Sequence, residues 1–163
     1  MLIWSRRASI ICAFIVMGLF PFKSLWAQQA VCAKSSLVTL KEEPSDKAKT
    51  TWKVAKFMPF LRQEKKGLWI KLVDLEGAIH WGKARDFKAD IRCVVVRVAV
   101  AKLRSEPSET APTANLKTVD RYTPFRRLAE EGPWIKVEDE MGNRAWINET
   151  NVWKPLAVKP ISF

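Results

Sequence analysis

Histidine and cysteine are scarce in this chain: 163 residues hold one histidine, His80, and three cysteines, Cys12, Cys32 and Cys93. Cys12 lies within the N-terminal apolar run; the other two are distant thiols that make no zinc spacing with one imidazole, and a Cys/His nucleophile needs a free thiol close to the imidazole. No metal, no cofactor and no catalytic residue is therefore expected. The paired carboxylates Glu42/Glu43 and Glu130/Glu131 stand in polar loops, where a solvated pair is the default. A sustained helical period is lacking as well, which excludes helical bundles and solenoids. The longest apolar run, Ala8 to Phe22, is broken by Ser9, Gly18 and Pro21 and falls short of the roughly 20 residues that span a bilayer.

That run is preceded by Arg6 and Arg7 and followed by Leu25-Trp26-Ala27, with a small residue at the cleavage position. Basic, apolar, cleavage site is the order of a secretory signal peptide, so residues 1–27 are expected to be removed on export, leaving no stable membrane span. The product would be periplasmic or secreted. Loss of Arg6, Arg7 and Lys23 takes the net charge from +11 to +8. The excess is spread over the chain with no Lys/Arg block of the kind that forms a nucleic-acid arm, and nucleic acid is not an expected partner. Cys32 and Cys93 survive cleavage as an even pair in an oxidising compartment, which reads as a disulfide.

What is abundant is written twice. Gly67-Leu68-Trp69-Ile70-Lys71-Leu72-Val73-Asp74 returns 65 residues later as Gly132-Pro133-Trp134-Ile135-Lys136-Val137-Glu138-Asp139. Gly77 and Trp81 answer Gly142 and Trp146, and Pro59-Phe60 answers Pro124-Phe125, at the same offset. Upstream, Leu40-Lys41-Glu42-Glu43-Pro44-Ser45 answers Leu103-Arg104-Ser105-Glu106-Pro107-Ser108 at an offset of 63. The second copy thus carries two more residues in its early loop. The duplicated unit is too long for a helical repeat.

Short alternating stretches separated by turn signals predict strands: Leu37–Leu40, Thr51–Ala55, Phe57–Arg62, Leu68–Val73 and Ala78–Gly82 in the first copy. Arg92–Val100, Leu116–Val119, Pro124–Ala129, Trp134–Glu138 and Arg144–Ile147 follow in the second. Lys83–Phe87 and Asn148–Trp153 read as closing turns, the former with a 3₁₀ turn. The expected fold is all-β: two tandem small antiparallel barrels, residues 28–90 and 91–154, ahead of a tail at 155–163. Alternation in the hairpin strands points Ile70, Leu72, Ile135 and Val137 inward and leaves Trp69 and Trp134 partly outside. Trp81 and Trp146, in the last strand, are expected in the core.

The second copy, with Leu103-Arg104-Ser105-Glu106-Pro107-Ser108, Gly132-Pro133-Trp134-Ile135-Lys136-Val137 and Gly142-Asn143-Arg144-Ala145-Trp146-Ile147, resembles the bacterial SH3 domain family. The first copy departs more: Lys41-Glu42 stands where that pattern has Arg-Ser, and His80-Trp81-Gly82 replaces its terminal Trp-Val. The resemblance implies small barrels bordering an aromatic-lined groove, and a non-catalytic module that binds cell-wall peptides or envelope proteins. Trp134, with Tyr122 and Arg127 near it, is the groove candidate in the second copy, and Trp69 with Arg62 in the first. The expected partner is a cell-wall peptide or an envelope protein. The alternative is a structural adaptor serving an envelope enzyme such as a cell-wall hydrolase, with no wall contact of its own.

Overall fold

A computed structural model describes residues 28–155. The expected signal peptide, and the expected tail from residue 156 onward, lie outside the described residues. The first copy folds as β1 (Gln29–Ala33), β2 (Val38–Lys41), β3 (Thr50–Val54), β4 (Pro59–Lys66), β5 (Trp69–Val73), β6 (Ile79–Lys83) and β7 (Phe87–Lys88). A 3₁₀ turn, Ala84–Asp86, precedes β7. The second copy gives β8 (Cys93–Val96), β9 (Val100–Arg104), β10 (Thr113–Asp120), β11 (Pro124–Glu131), β12 (Trp134–Glu138), β13 (Arg144–Asn148) and β14 (Val152–Trp153). Its 3₁₀ turn, Glu149–Asn151, takes the same place.

Each copy is one antiparallel sheet of seven strands, ordered β3-β2-β6-β5-β4-β1-β7 and β10-β9-β13-β12-β11-β8-β14. The second order is the first shifted by seven, so the duplicated sequence is a duplicated topology. The sheets do not close into barrels as expected. The edge strand β7 has two residues and pairs only with β1, too short to reach β3. Two further expectations are corrected. The single strand expected over Arg92–Val100 is two, because the chain leaves β11 and β14 at Val96 and joins β10 from Val100. Valine-rich composition does not reveal that change of partner. Gln29–Ala33, to which no strand is assigned above, is a strand whose Val31, Cys32 and Ala33 are buried. Among the described residues, no helix is long and apolar enough to cross a membrane.

The two cores follow the alternation. Leu40, Phe60 and Leu72 are fully buried in the first, Leu103, Phe125, Ile135 and Ile147 in the second. At one pair of positions the copies fill the same space differently. Gly82 answers Ile147, and Phe87 answers Val152. A Cβ on Gly82 would lie 2.5 Å from Phe87 Cε2 and 3.1 Å from Leu72 Cδ1, so the Phe87 ring occupies what a side chain on Gly82 would take. Gly82→Ala should therefore destabilise by about 1–3 kcal/mol through overpacking. Gly82→Ile combined with Phe87→Val recreates the pairing of the second copy and should recover most of the loss of Gly82→Ile alone. Urea midpoints of the four-member cycle measure the coupling, and additive losses would show that the two positions do not share a space.

Asp74 and Asp139 shape the same turn twice. Asp74 Oδ1 accepts the N–H groups of Glu76 and Ala78 at 2.9 and 2.8 Å, and Asp139 Oδ1 those of Met141 and Asn143 at 2.9 and 2.8 Å. The second oxygen differs: Asn143 Nδ2 donates to it in one copy, and His80 Nε2 lies 3.3 Å from it in the other. His80 Nδ1 is 2.9 Å from Thr51 Oγ1, and its ring stands among Trp52 and Phe60. This imidazole has a structural place, tying β3 and the Asp74 turn to β6.

The copies are joined by more than a linker. Cys32 on β1 and Cys93 on β8 form a disulfide across 61 positions, buried with Phe57 beside Ile91. The core of the first sheet takes in Val95, with Tyr122 and Trp153 packed against it. Tyr122 meets Trp52 edge-on, with ring centroids 5.4 Å apart, and its hydroxyl donates to Glu76 at 3.3 Å. Arg121 also pairs with Glu76, and Ser36 donates to Glu140 at 2.6 Å. Phe57 and Tyr122 are counterparts in the two repeats, and both hold left-handed backbone, φ 69° and 68°. That conformation is costly for a bulky residue. In both copies it puts an aromatic ring at the junction.

Candidate binding surfaces

The site begins on the outer face of the β5–β6 hairpin. Cross-strand neighbours share a face of a sheet. Ile70 lies opposite Gly82 and Leu72 opposite His80, so these point inward, and Trp69–Lys83 and Lys71–Trp81 point outward. Lys83 Nζ sits 5.5 Å from the centre of the Trp69 ring, a cation–π distance. In the second copy Lys136 lies opposite Trp146, its Nζ 5.7 Å from that ring.

This register corrects the placement of two tryptophans, and burial that of a third. Trp81 and Trp146, expected in the core, are half-buried on the outer face, and the interior places of their strands go to His80, Gly82, Ala145 and Ile147. Trp134, expected partly outside, is only 7% exposed. Its cross-strand neighbour Asn148 donates to Glu109 at 3.4 Å, which brings the longer loop of the second copy to this end of β12. Trp69, its counterpart, stays half-buried beside an open groove.

Tyr122, Arg127 and Trp69 line three different concave surfaces. Tyr122 packs at the junction and also lines a recess of about 380 Å³ with Lys56, Leu116 and Met141, and burial, then the charge and hydrogen bond of Glu76, push its hydroxyl above the ordinary value of 10.0. Arg62 lies on β4 opposite Gln29 and Leu72. Arg127 sits at a bulge of β11, where its N–H donates to Arg92 O at 2.8 Å and its Nη1 to Glu130 at 2.7 Å. Its Nε is buried with no hydrogen-bond partner. Burial works to raise the Glu130 pKa, but Arg127 and Lys154 outweigh it and hold the carboxylate below 4.5. Lys154 is raised above 10.5, chiefly by its hydrogen bond to Glu149, against the effect of burial.

Besides the recess at Tyr122, two further concave surfaces include groove candidates. The groove at Trp69 has a volume of about 440 Å³ and is bordered by Ser36, Thr39, Lys41, Asp46 and Lys83. Lys83 pairs with Asp46 at 2.6 Å and Lys41 donates to Ala48 O at 2.9 Å, so both flanking amines are held in place. The larger cleft, about 950 Å³, runs between the two copies and includes Arg127. The sequence offered no sign of it, because its walls come from segments that are distant in the chain. Among the described residues, no group of three or more His, Cys, Asp or Glu side chains could hold a metal ion.

Two copies of one small open β-sheet, joined by an aromatic and disulfide-linked seam, define a tandem β-module protein. Residues 97–154 match the family model described as the bacterial SH3 domain, and the second module belongs to that family. The family is one of non-catalytic binding domains. The first module lies outside the matched segment and shares its strand order. No curated protein matches the chain in sequence. Among solved structures, an NlpC/P60 family protein from Bacillus cereus is similar at 16% identity and TM-score 0.34, over 77% of this chain and 56% of that one. NlpC2 from Trichomonas vaginalis is similar at 10% identity and TM-score 0.35, over 81% of this chain and 50% of that one. The chain thus spans about half the length of each.

Proposed function

We propose that this protein is an exported, non-catalytic binding module of the cell envelope that recognises peptidoglycan peptides or an envelope protein at the Trp69 groove. The observation that carries this reading is a half-buried tryptophan bordered by fixed polar groups, Lys83 and Asp46, on a chain whose second module is a bacterial SH3 domain. A rigid ring gives contact area, and the neighbouring charges give orientation, which is how small sites combine affinity with specificity. Export is supported by the order of charge, apolar run and cleavage site at the N-terminus.

The test is sedimentation with purified sacculi. The wild-type protein should pellet, and Trp69→Ala should weaken binding by about 2 kcal/mol, roughly thirtyfold, with little change in melting temperature. The seam between the modules favours a second reading, a rigid adaptor for an envelope enzyme. Wild-type protein that stays in the supernatant, yet recovers an envelope hydrolase in a pull-down, would replace the first reading with the second.

A further inference from the structure

The cleft between the modules combines two kinds of lining. Lys34, Lys56 and Lys88 come from the first module, and Arg92, Arg126 and Arg127 from the second. Phe57, Ile91, Leu128 and Met141 supply apolar surface, with Met141 83% exposed.

The acidic groups of the same cleft are largely satisfied within the protein. Glu138 pairs with Arg126 and Arg144, Asp139 accepts from its own turn and from Asn143, and Glu140 accepts from Ser36. Of the six cations, Arg126 and Arg127 pair with Glu138 and Glu130, and the other four do not. Among the described residues, Lys34, Lys56, Lys88 and Arg92 make no ion pair within 4.0 Å, and the buried Arg127 Nε has no hydrogen-bond partner. Asp90 is the one acidic group left to offset four free cations. A recess with an excess of unpaired positive charge concentrates the opposite sign.

We propose that this inter-module cleft is a second binding site, and that it takes an acidic peptide segment carrying an apolar side chain. The free ammonium and guanidinium groups would meet its carboxylates, and Met141 with the half-buried Leu128 its apolar side chain. Concavity argues against a membrane, which presents a plane. The apolar floor argues against a ligand that is anionic throughout. Because Lys34 and Lys88 stand on one module and Arg92 and Arg127 on the other, the site depends on the seam and exists in neither module alone. It is independent of the Trp69 groove and of any binding to sacculi.

The experiment uses the disulfide-bonded chain and a fluorescent Glu-Glu-Leu-Glu-Glu peptide, read by anisotropy. Lys34→Glu with Lys88→Glu, both exposed positions, should weaken binding at least about tenfold. Lys66→Glu with Lys117→Glu, the same charge change at exposed positions outside the cleft, should stay within about twofold. Equal losses in the two double variants would reduce the effect to general basicity and overturn the site. A single-stranded oligonucleotide of equal charge that competes as well as the peptide would overturn the peptide class. Trp69→Ala should leave this affinity unchanged, so the cleft and the proposed envelope function can fail separately. Binding lost in Trp69→Ala would overturn the independence of the two sites.

Discussion

Replacing Cys32 and Cys93 together by alanine is expected to lower stability by about 4 kcal/mol, the loop-entropy value for a bridge closing a loop of this size. For a chain of this length that corresponds to a fall in melting temperature on the order of 10 °C. The bridge joins the first strand of one sheet to the first strand of the next, and its sulfurs are buried with Phe57. The effect lies mainly in the unfolded chain, which gains the freedom that the cross-link removed. The folded junction keeps the Trp52–Tyr122 contact and the Arg121–Glu76 pair. The double variant should therefore remain folded at room temperature while melting earlier. Thiol labelling of the denatured, unreduced wild-type chain, residues 28–163, should find no free cysteine. Two labelled thiols, or a variant that melts with the wild type, would remove the bridge from the account of stability.

Trp134→Ala is expected to cost about 3–5 kcal/mol, the range for truncating a buried tryptophan. Trp146→Ala should cost about 1 kcal/mol or less, because its ring is half-buried on the outer face under Lys136 and its loss opens no cavity in the core. Both residues belong to the second module and both lie on the outer face of the β12–β13 hairpin, so the contrast isolates depth of burial. Urea midpoints with unchanged m-values measure it. If Trp146→Ala proves the more damaging, the register that pairs Trp146 with Lys136 is wrong, and the ring belongs inside.

Much of this protein is legible in its residues. The duplication, the all-β pattern of the two copies, the positions of the hairpins and the inward set Ile70, Leu72, Ile135 and Val137 all follow from spacing and alternation. They are local properties: a strand has two faces, and the face rich in aliphatic residues enters the core. The disulfide was legible too, from the count of cysteines that follow the expected cleavage site. The same reasoning misplaced Trp81 and Trp146 because alternation within one strand does not state its register against the next. Once Ile70 is known to face Gly82, and Ile135 to face Ile147, parity sends both tryptophans outward.

The sites were less legible than the fold. Trp69 and Trp134 have identical local patterns, yet one borders an open groove and the other is buried, with the longer loop of its module held nearby by Asn148 and Glu109. Tyr122 packs at the junction and lines a recess beside it, and Arg127 lines the cleft between the modules, so neither borders the same concave surface as Trp69. The sequence by itself determined two β-modules, their strand pattern and the partnership of Cys32 with Cys93, because each depends on neighbours in the chain or on a pair with no competitor. Tertiary structure alone decided which aromatic rings stay accessible and which cations stay unpaired, because both depend on how residues far apart in the chain meet.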